Sequence, residues 1–350
     1  LFLNKYEAKQ KALQGQEAEQ RVFHFTVGTA KTAQDQAIAV TYMVQDATVK
    51  ITPHFIDTTL SLNGDTASNI VITPGSYQNA TVSYKNTLAT SVQNAVVSIS
   101  ISGSAIDYES IKTANGFYRS SDRTIIFSRD TDSSLASLAP GASGVGSFSF
   151  TTLSPGAILP SSSITFSISV SGARVGDTDT TEQMNTSATR TAKVSTTVAL
   201  SASSFYASGP FKNSGPIPPR ANQATTYTIV WNAQNTGSAV AGGTVSATLP
   251  SYVSYLGETS GSGSISYNKT SDTVSWNIGD LPQVGKAQGA FKISLTPSTS
   301  QKDNAPELTG TASFSGYDRF AGIQFTATAD PATTATTGDP GYIGANSLVQ

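Results

Sequence analysis

Histidine and clustered acidic residues are the side chains of this chain that could bind a metal ion or transfer protons. The histidines are His24 and His54, and neither has a second ligand at the spacing of a zinc site. The loop residues Asp177, Asp179 and Glu182 supply alternating carboxylates, the ligands that calcium prefers. This cluster lacks the spacing and the glycine of a calcium-binding loop, so we interpret it as a solvated turn and predict no metal site.

Motifs of enzyme chemistry are missing from the sequence. The residues Gly144-Val145-Gly146 begin like a dinucleotide-binding motif, but Ser147-Phe148-Ser149-Phe150 continues as a strand, whereas phosphate binding requires the start of a helix. The chain contains no cysteine, which excludes thiolate nucleophiles, thiolate metal sites and disulfides. We therefore predict that the protein is not an enzyme and needs no cofactor.

Charge is unusually sparse in this chain. Charged residues make up 13% of its 350 residues and the net charge is −2, whereas globular proteins average about 25% charged residues. No basic footprint for nucleic acid or an anionic membrane surface exists. Serine, threonine, asparagine and glutamine provide the polarity instead, which is usual in extracellular β proteins. We predict an extracellular, cell-surface location.

The elements that position these residues are predicted to be strands almost everywhere after Arg21. Residues 22–27 and 37–44 alternate apolar and polar side chains, which predicts half-buried strands, with Ile38, Val40, Tyr42 and Val44 on one face. Further strands follow, separated by glycine and proline turns, as in a β-sandwich. Residues 4–21 favour a helix by composition, and the apolar start at Leu1 predicts the end of a membrane or assembly helix.

The strand pattern occurs twice along the chain. Thr124-Ile125-Ile126-Phe127 is echoed by Thr273-Val274-Ser275-Trp276, and Gly146-Ser147-Phe148 by Gly289-Ala290-Phe291. At a constant offset of 144 residues, Ile164 aligns with Leu308 and Gly172 with Gly316. The offsets drift between segments while the alternation within each segment is kept, so the insertions lie in loops. This is the pattern of a duplicated β domain.

The second copy resembles the immunoglobulin-like conserved repeat domain of bacterial cell-surface proteins. The residues that carry this resemblance are Thr226-Tyr227-Thr228-Ile229, Asn235-Thr236-Gly237, Thr248-Leu249-Pro250 and the run from Trp276 through Asn277-Ile278-Gly279-Asp280 to Leu281. The first copy keeps the pattern in part, with Asn86-Thr87 at the turn and Phe127 in place of the tryptophan. The resemblance implies an extracellular, envelope-attached, repetitive architecture and no catalytic residue.

These observations predict an all-β protein with two tandem immunoglobulin-like antiparallel β-sandwich domains preceded by a short N-terminal helix. We place a helical stalk or the end of a membrane or assembly helix at 1–20 and a strand-rich lead-in at 21–52. The first sandwich is predicted at 53–200 and the second at 201–332, followed by an extended, loosely held C-terminal tail at 333–350.

We predict a structural cell-envelope protein, a subunit of a surface layer or filament that self-associates through sandwich contacts and terminal-strand exchange. An adhesin that binds glycans or host surface proteins through sandwich loops is the alternative. Both tryptophans fall on alternating faces that predict the core. The predicted contact residues are aromatic and apolar side chains near loops or termini: Phe23, Phe25, Val27, Tyr252, Tyr255, Tyr317, Phe320, Leu348 and Val349.

Overall fold

The computed structural model describes residues 19–29, 39–51, 54–175 and 181–350. The helix predicted at 1–20 and the apolar start at Leu1 lie outside these residues, except for Glu19 and Gln20, which belong to a strand instead. Within the described residues the helical segments are the short 3₁₀ helices Ser133–Ala136, Thr299–Gln301 and Gly344–Ser347. In the described part of the chain the protein is therefore all-β, and a preceding helix is not supported.

The first sheet is a two-stranded antiparallel hairpin. It consists of β1 (Glu19–Thr29) and β2 (Val40–Ile51), which pair along their whole length from Glu19–Ile51 to Thr29–Val40. A β-bulge between Val27 and Gly28 leaves Tyr42 without a cross-strand partner.

The first sandwich contains two sheets. One has the strand order β3-β5-β11-β7, and the other has the order β4-β13-β12-β6-β9-β8 with β10 paired to β6. The strands are β3 (Ile56–Leu62), β4 (Ile70–Ile72), β5 (Tyr77–Asn86), β6 (Val92–Ser102), β7 (Ile106–Thr113), β8 (Phe117–Arg119), β9 (Thr124–Phe127), β10 (Ser137–Leu138), β11 (Ser143–Thr152), β12 (Ser163–Val175) and β13 (Thr181–Val194).

The second sandwich also contains two sheets, with the orders β14-β15-β20-β17 and β18-β19-β16-β21-β22. Its strands are β14 (Val198–Phe205), β15 (Thr225–Asn235), β16 (Val240–Thr248), β17 (Val253–Gly261), β18 (Ser264–Asn268), β19 (Thr273–Leu281), β20 (Lys286–Leu295), β21 (Ala312–Asp318) and β22 (Ile323–Ala329). The two sandwiches share one topology, because β3-β5-β11-β7 corresponds to β14-β15-β20-β17 and β13-β12-β6-β9-β8 corresponds to β22-β21-β16-β19-β18. The first sandwich adds β4 and β10.

Each sandwich has its own apolar core, formed by the inward side chains of its two sheets. The first core includes Val82 and Phe150 from one sheet and Ile99 from the other, and the second is built around Trp231 and Trp276. Both tryptophans are fully buried, as the alternation predicts. Each buried large apolar side chain stabilises a fold by roughly 1.5–3 kcal/mol relative to its exposed state.

A glycine facing an aromatic ring recurs in both cores. A Cβ at Gly146 would lie 2.6 Å from the ring of Phe127, and one at Gly289 would lie 2.8 Å from the indole of Trp276. All four residues belong to segments that the sequence repeats. In each sandwich the glycine of one sheet contacts the aromatic ring of the facing sheet. The glycine is required because any side chain there would overlap the ring.

A buried asparagine closes the equivalent turn in each sandwich. Asn86 ends β5, and its amide donates hydrogen bonds to the carbonyls of Thr90, Leu138 and Ala139. At the equivalent end of β15, the Asn235 amide donates to the carbonyls of Ser238 (2.7 Å) and Pro282 (2.8 Å). Buried carbonyls without a partner are costly, which explains why both repeats keep this residue.

The loop between β9 and β10 accounts for the main difference between the repeats. It carries Asp132, which accepts a hydrogen bond from the buried Tyr84 hydroxyl at 2.8 Å. In the second sandwich Ala233 occupies the position of Tyr84, two residues before the turn asparagine, and its methyl group needs no hydrogen-bond acceptor. The longer loop of the first repeat therefore provides an acceptor for a polar group that the second repeat does not have.

The C-terminal segment at 333–350 is packed on the second sandwich rather than loosely held. Thr334, Asp339, Ser347 and Val349 are buried. The Ser204 hydroxyl donates to the carbonyl of Thr333 at 2.6 Å, and further bonds follow towards the end of the chain. The prediction from composition failed because these contacts are made by backbone groups and short polar side chains, which carry no apolar periodicity.

Candidate interaction site

The residues considered for metal binding form no cluster where the structure describes them. Asp177 and Asp179 lie outside the described residues, and Glu182 on β13 forms an ion pair with Arg174 at 2.7 Å. The side chain of His24 is not described, whereas His54 is exposed and its Nδ1 contacts the Thr186 hydroxyl. Over the described ranges, no group of three or more histidine, cysteine or acidic residues is placed to hold a metal ion.

The loop aromatics predicted as contact residues differ in their surroundings. Tyr252 and Tyr255 are half-buried against the second core, and the Tyr255 ring stacks on Tyr267 at 4.9 Å between centroids. Burial raises the pKa of both Tyr252 and Tyr255 above the ordinary tyrosine value. Tyr317 is exposed on β21, while Phe320 is half-buried with the Lys193 ammonium 5.3 Å from its ring centroid. The structure does not bring these four residues into one surface.

The C-terminal residues predicted for strand exchange are already engaged within the chain. Val349 is fully buried; its N–H donates to the carbonyl of Asn304 and its carbonyl accepts from Asp303. The N–H of Gln350 donates to the carbonyl of Pro219 at 2.8 Å, and of the two predicted contact residues here Leu348 is the exposed one. Donation of this segment to a neighbour would break these bonds, so the expectation of a free terminal strand there is wrong.

The N-terminal contact residues lie on the β1–β2 hairpin. Phe25 is half-buried, Val27 is exposed, and the side chain of Phe23 is not described. Residues 22–27 are not a lone strand, because each pairs with a residue of β2. On β2 the side chains from Val40 to Ala47 are all exposed, so in this stretch neither sandwich covers the ribbon.

The β-bulge decides which hairpin side chains share a face. Cross-strand partners point to the same side of a sheet, so the pairs Phe25–Gln45, Val27–Met43 and Thr29–Val40 define one face. Four apolar side chains, Phe25, Val27, Met43 and Val40, thus lie together, and we name them the hairpin apolar face. The Tyr42 hydroxyl lies 3.4 Å from that of Thr29 and is close to this face.

The opposite face of the hairpin is more polar. Thr26 pairs with Val44 and Gly28 with Thr41, so among the hairpin residues with described side chains, 25–29 and 39–47, Val44 is the apolar one paired on this face. Simple alternation would have put Val40 and Val44 on one face, and the bulge separates them. The sequence prediction missed this because a bulge shifts the register without changing the residue pattern.

A two-stranded ribbon has little stability of its own in water. The hairpin apolar face contains exposed valine and methionine side chains, with Val40 54% and Met43 52% exposed. Contiguous exposed apolar patches mark sites of interaction. The fold and this surface define a tandem β-sandwich protein that carries an exposed, one-sided apolar β-hairpin.

Comparison with known proteins gives fold-level similarity at low scores. No protein-family model matches the chain, and no curated protein matches it. The C-terminal domain of the Streptococcus pyogenes antigen I/II-family protein AspA is 10% identical, with a TM-score of 0.29 over 79% of this chain and 100% of that chain. The C-terminal domain of the Streptococcus agalactiae antigen I/II polypeptide BspA is 9% identical, with a TM-score of 0.27 over 78% and 100%.

A third similar structure is the full-length major pilin SpaD from Corynebacterium diphtheriae. It is 9% identical, with a TM-score of 0.29 over 69% of this chain and 59% of that chain. All of these TM-scores are below 0.5, so no residue role is transferred from these proteins. In the described ranges, no helix is long and apolar enough to cross a bilayer.

Proposed function

We propose that this protein is a structural subunit of a cell surface and that it self-associates through the hairpin apolar face. The observation that carries the proposal is the hairpin itself, in which the exposed side chains of Val27, Val40 and Met43 lie on one face and are not covered by either sandwich. The composition agrees with this role, because a cysteine-free, sparsely charged chain rich in serine and threonine suits an extracellular β protein.

A second copy of the same face is the occupant that fits best. The residues that form the face, Phe25, Val27, Val40 and Met43, are uncharged, so two copies meet without like-charge repulsion. A face-to-face contact related by a twofold axis covers both patches at once, as in other isologous interfaces. The sheets would stack about 10 Å apart, the usual separation of packed sheets.

The strength of this contact follows from its size. A patch of this kind covers on the order of a few hundred Å² per partner, less than the roughly 800 Å² of a standard stable interface. One hairpin contact is therefore expected to be weak, and an ordered surface assembly would require several contacts per subunit. This replaces strand exchange through the C-terminal segment as the basis of assembly.

Sedimentation velocity over a range from micromolar to several hundred micromolar protein tests the proposal. We expect concentration-dependent association of the full chain. The paired substitutions Val40→Thr and Met43→Gln should weaken it at least tenfold, because they remove apolar burial worth more than about 1.4 kcal/mol. The matched control is Val44→Thr, the same chemical change on the opposite face of the same strand, which should leave association within about twofold.

Two results would contradict the proposal. One is a chain that stays monomeric at every concentration, in which case binding of glycans or surface proteins by the monomer would support the adhesin alternative. The other is equal weakening by Val40→Thr and Val44→Thr, which would show that hairpin stability rather than its apolar face controls association.

A further inference from the structure

The connection between the two sandwiches is short and buried. β13 ends at Val194 and β14 begins at Val198, so Ser195, Thr196 and Thr197 form the whole connection. Ser195 is 8% exposed and Thr196 is 3% exposed. Connecting segments normally run over the surface, and neighbouring domains normally move relative to each other. This connection departs from both expectations.

The first sandwich holds the start of the connection through its backbone. The N–H of Ser195 donates to the carbonyl of Ile72 at 2.9 Å, which extends the parallel pairing of β4 with β13 by one residue. The preceding N–H of Val194 donates to the carbonyl of Ser162 at 3.0 Å. The connection therefore leaves the first sandwich as part of its sheet.

The second sandwich holds the next residue from two sides. The N–H of Thr196 donates to the Asp318 carboxylate at 2.6 Å, and its hydroxyl donates to the side-chain oxygen of Asn235 at 2.6 Å. Asp318 is fully buried, and its other oxygen accepts from the N–H groups of Phe320 and Ala321. Hydrogen bonds to a buried charge are among the stronger ones in proteins.

Direct contacts between the sandwiches surround this connection. The N–H of Ser161 in the first sandwich donates to the hydroxyl of Ser238 in the second at 2.9 Å. The Lys193 ammonium donates to the carbonyl of Phe320 at 2.9 Å and lies near the same phenyl ring. The two sandwiches are thus held together both by the connecting segment and by direct hydrogen bonds between them.

Comparison of the repeats identifies what is special to this junction. In the first sandwich the side-chain oxygen of Asn86 accepts from the N–H of Leu88, within its own turn. In the second, the equivalent oxygen of Asn235 accepts from Gly237 and also from the hydroxyl of Thr196. The turn asparagine of the second copy therefore also accepts a hydrogen bond from the connecting residue Thr196, which the first copy has no counterpart for.

We infer that Thr196, Asn235 and Asp318 form an interdomain lock that makes the two sandwiches one rigid unit. Rotation about the connection requires the Thr196 backbone and hydroxyl bonds to break together, leaving the buried Asp318 carboxylate short of a donor. This inference is independent of the proposed self-association, since it concerns a single chain. It assigns the protein the mechanical property of a stiff spacer of fixed length.

Double electron–electron resonance, which measures the distance between two spin labels, tests the lock. The chain has no cysteine, so cysteines introduced at the exposed residues Ser100 in the first sandwich and Ser313 in the second label cleanly. Dilution with unlabelled protein removes distances between chains. We expect one narrow distance distribution, no wider than that of a reference pair at Ser83 and Ser100 within the first sandwich.

Substitutions at the junction should broaden that distribution. Thr196→Val keeps the side-chain shape and removes the hydroxyl that donates to Asn235. Asp318→Asn keeps one oxygen for Phe320 and Ala321 and removes the acceptor for the Thr196 N–H; together the two substitutions should at least double the width. The matched control is Thr152→Val, which removes a buried hydroxyl bonded to Thr73 inside the first sandwich and should leave the width unchanged. Circular dichroism checks that each variant is folded.

Either of two outcomes overturns the inference. A wild-type distribution clearly wider than the reference pair would show that the sandwiches move freely. A narrow distribution that stays narrow in the folded double variant would show that the bonds from Thr196 to Asn235 and Asp318 do not set the geometry. Neither outcome depends on whether the hairpin self-associates, which sedimentation measures separately.

Discussion

The carboxylate of Asp339 is buried against the turn that follows β14. It accepts hydrogen bonds from the N–H groups of Tyr206, Ala207 and Ser208, at 2.6, 3.0 and 2.8 Å, and from the Ser208 hydroxyl. Burial by itself raises the pKa of Asp339, but these hydrogen bonds outweigh it and hold the pKa below the ordinary aspartate value. Asp339 is therefore one of the residues that fasten the C-terminal segment to the second sandwich, and it does so through four hydrogen bonds.

The lowered pKa of Asp339 predicts a dependence of stability on pH. Because its folded pKa lies below the unfolded value of about 3.9, its contribution is complete above that value and is lost as the pH falls through the folded pKa. Asp339→Asn should lower the free energy of unfolding by about 2 kcal/mol at pH 7. The difference from wild type should shrink as the pH falls below about 4. Urea unfolding at several pH values measures it.

The control for this prediction is Asp57→Asn, a carboxylate exposed on β3. It should change the free energy of unfolding at pH 7 by less than about 0.5 kcal/mol, as surface substitutions usually do. A difference between Asp339→Asn and wild type that stays constant from pH 7 to pH 2 would contradict the assigned role of the ionised carboxylate.

At the scale of strands, Gly289 on β20 and the indole of Trp276 on β19 pack closely against each other across the two sheets of the second sandwich. Gly289→Ala should destabilise the protein by about 2 kcal/mol, because the added methyl group overlaps the Trp276 ring and both lie in a filled core. Thermal unfolding followed by calorimetry measures the change. Gly344→Ala is the matched control, since an added Cβ there meets no atom within 4 Å. Equal effects of the two substitutions would contradict the packing explanation.

The strands were predictable from the sequence because inward side chains alternate with polar ones. Val82 and Tyr84 on β5 and Tyr227 and Ile229 on β15 follow this rule and are buried. The contact of Gly146 with Phe127 was visible only as a repeated pattern, because its meaning depends on which sheets face each other. The buried tail and the Thr196 lock gave no such signal, since they are held by backbone groups and short polar side chains that also occur in exposed loops.

The surface residues were the least predictable part. Leu348 and Val349 were grouped from their position in the sequence, yet one is exposed and the other fully buried. The hairpin apolar face is not predictable from the sequence either, because the extra residue Tyr42 on β2 shifts the register there. This shift places Val40 on the same face as Met43 instead of with Val44. Burial and register are properties of the pairing, which a single sequence does not specify.

At the scale of the whole molecule, the two ends of the described chain play opposite structural roles. The N-terminal hairpin leaves the side chains of β2 from Val40 to Ala47 exposed, whereas the C-terminal segment buries Val349 and Asp339 in the second sandwich. The N-terminal hairpin therefore lies outside the packed sandwiches, whereas the C-terminal segment is part of the second sandwich. Truncation therefore distinguishes them.

Removal of residues 1–51 should leave the thermal unfolding midpoint within about 2 °C of wild type, whereas truncation after Thr337 should lower it by on the order of 10 °C. The second change removes the apolar burial of Val349 and the bonds to Asp339, worth about 3 kcal/mol or more. Calorimetry of both truncated chains beside the full chain measures the difference. A larger loss from the N-terminal truncation would reverse the assignment of the two ends.

The buried connection at Thr196 also has a consequence for synthesis on the ribosome. Domains generally fold as units, the N-terminal one first. The first sandwich closes its sheet with β13 and the bond from Ser195 to Ile72, which are its last residues to be made. It is complete only when the connection has emerged, and the N–H and hydroxyl of Thr196 then lie at its edge in contact with water, before their protein acceptors exist. We therefore expect the second sandwich to complete its docking on the first only after Asn235 and later Asp318 have been made.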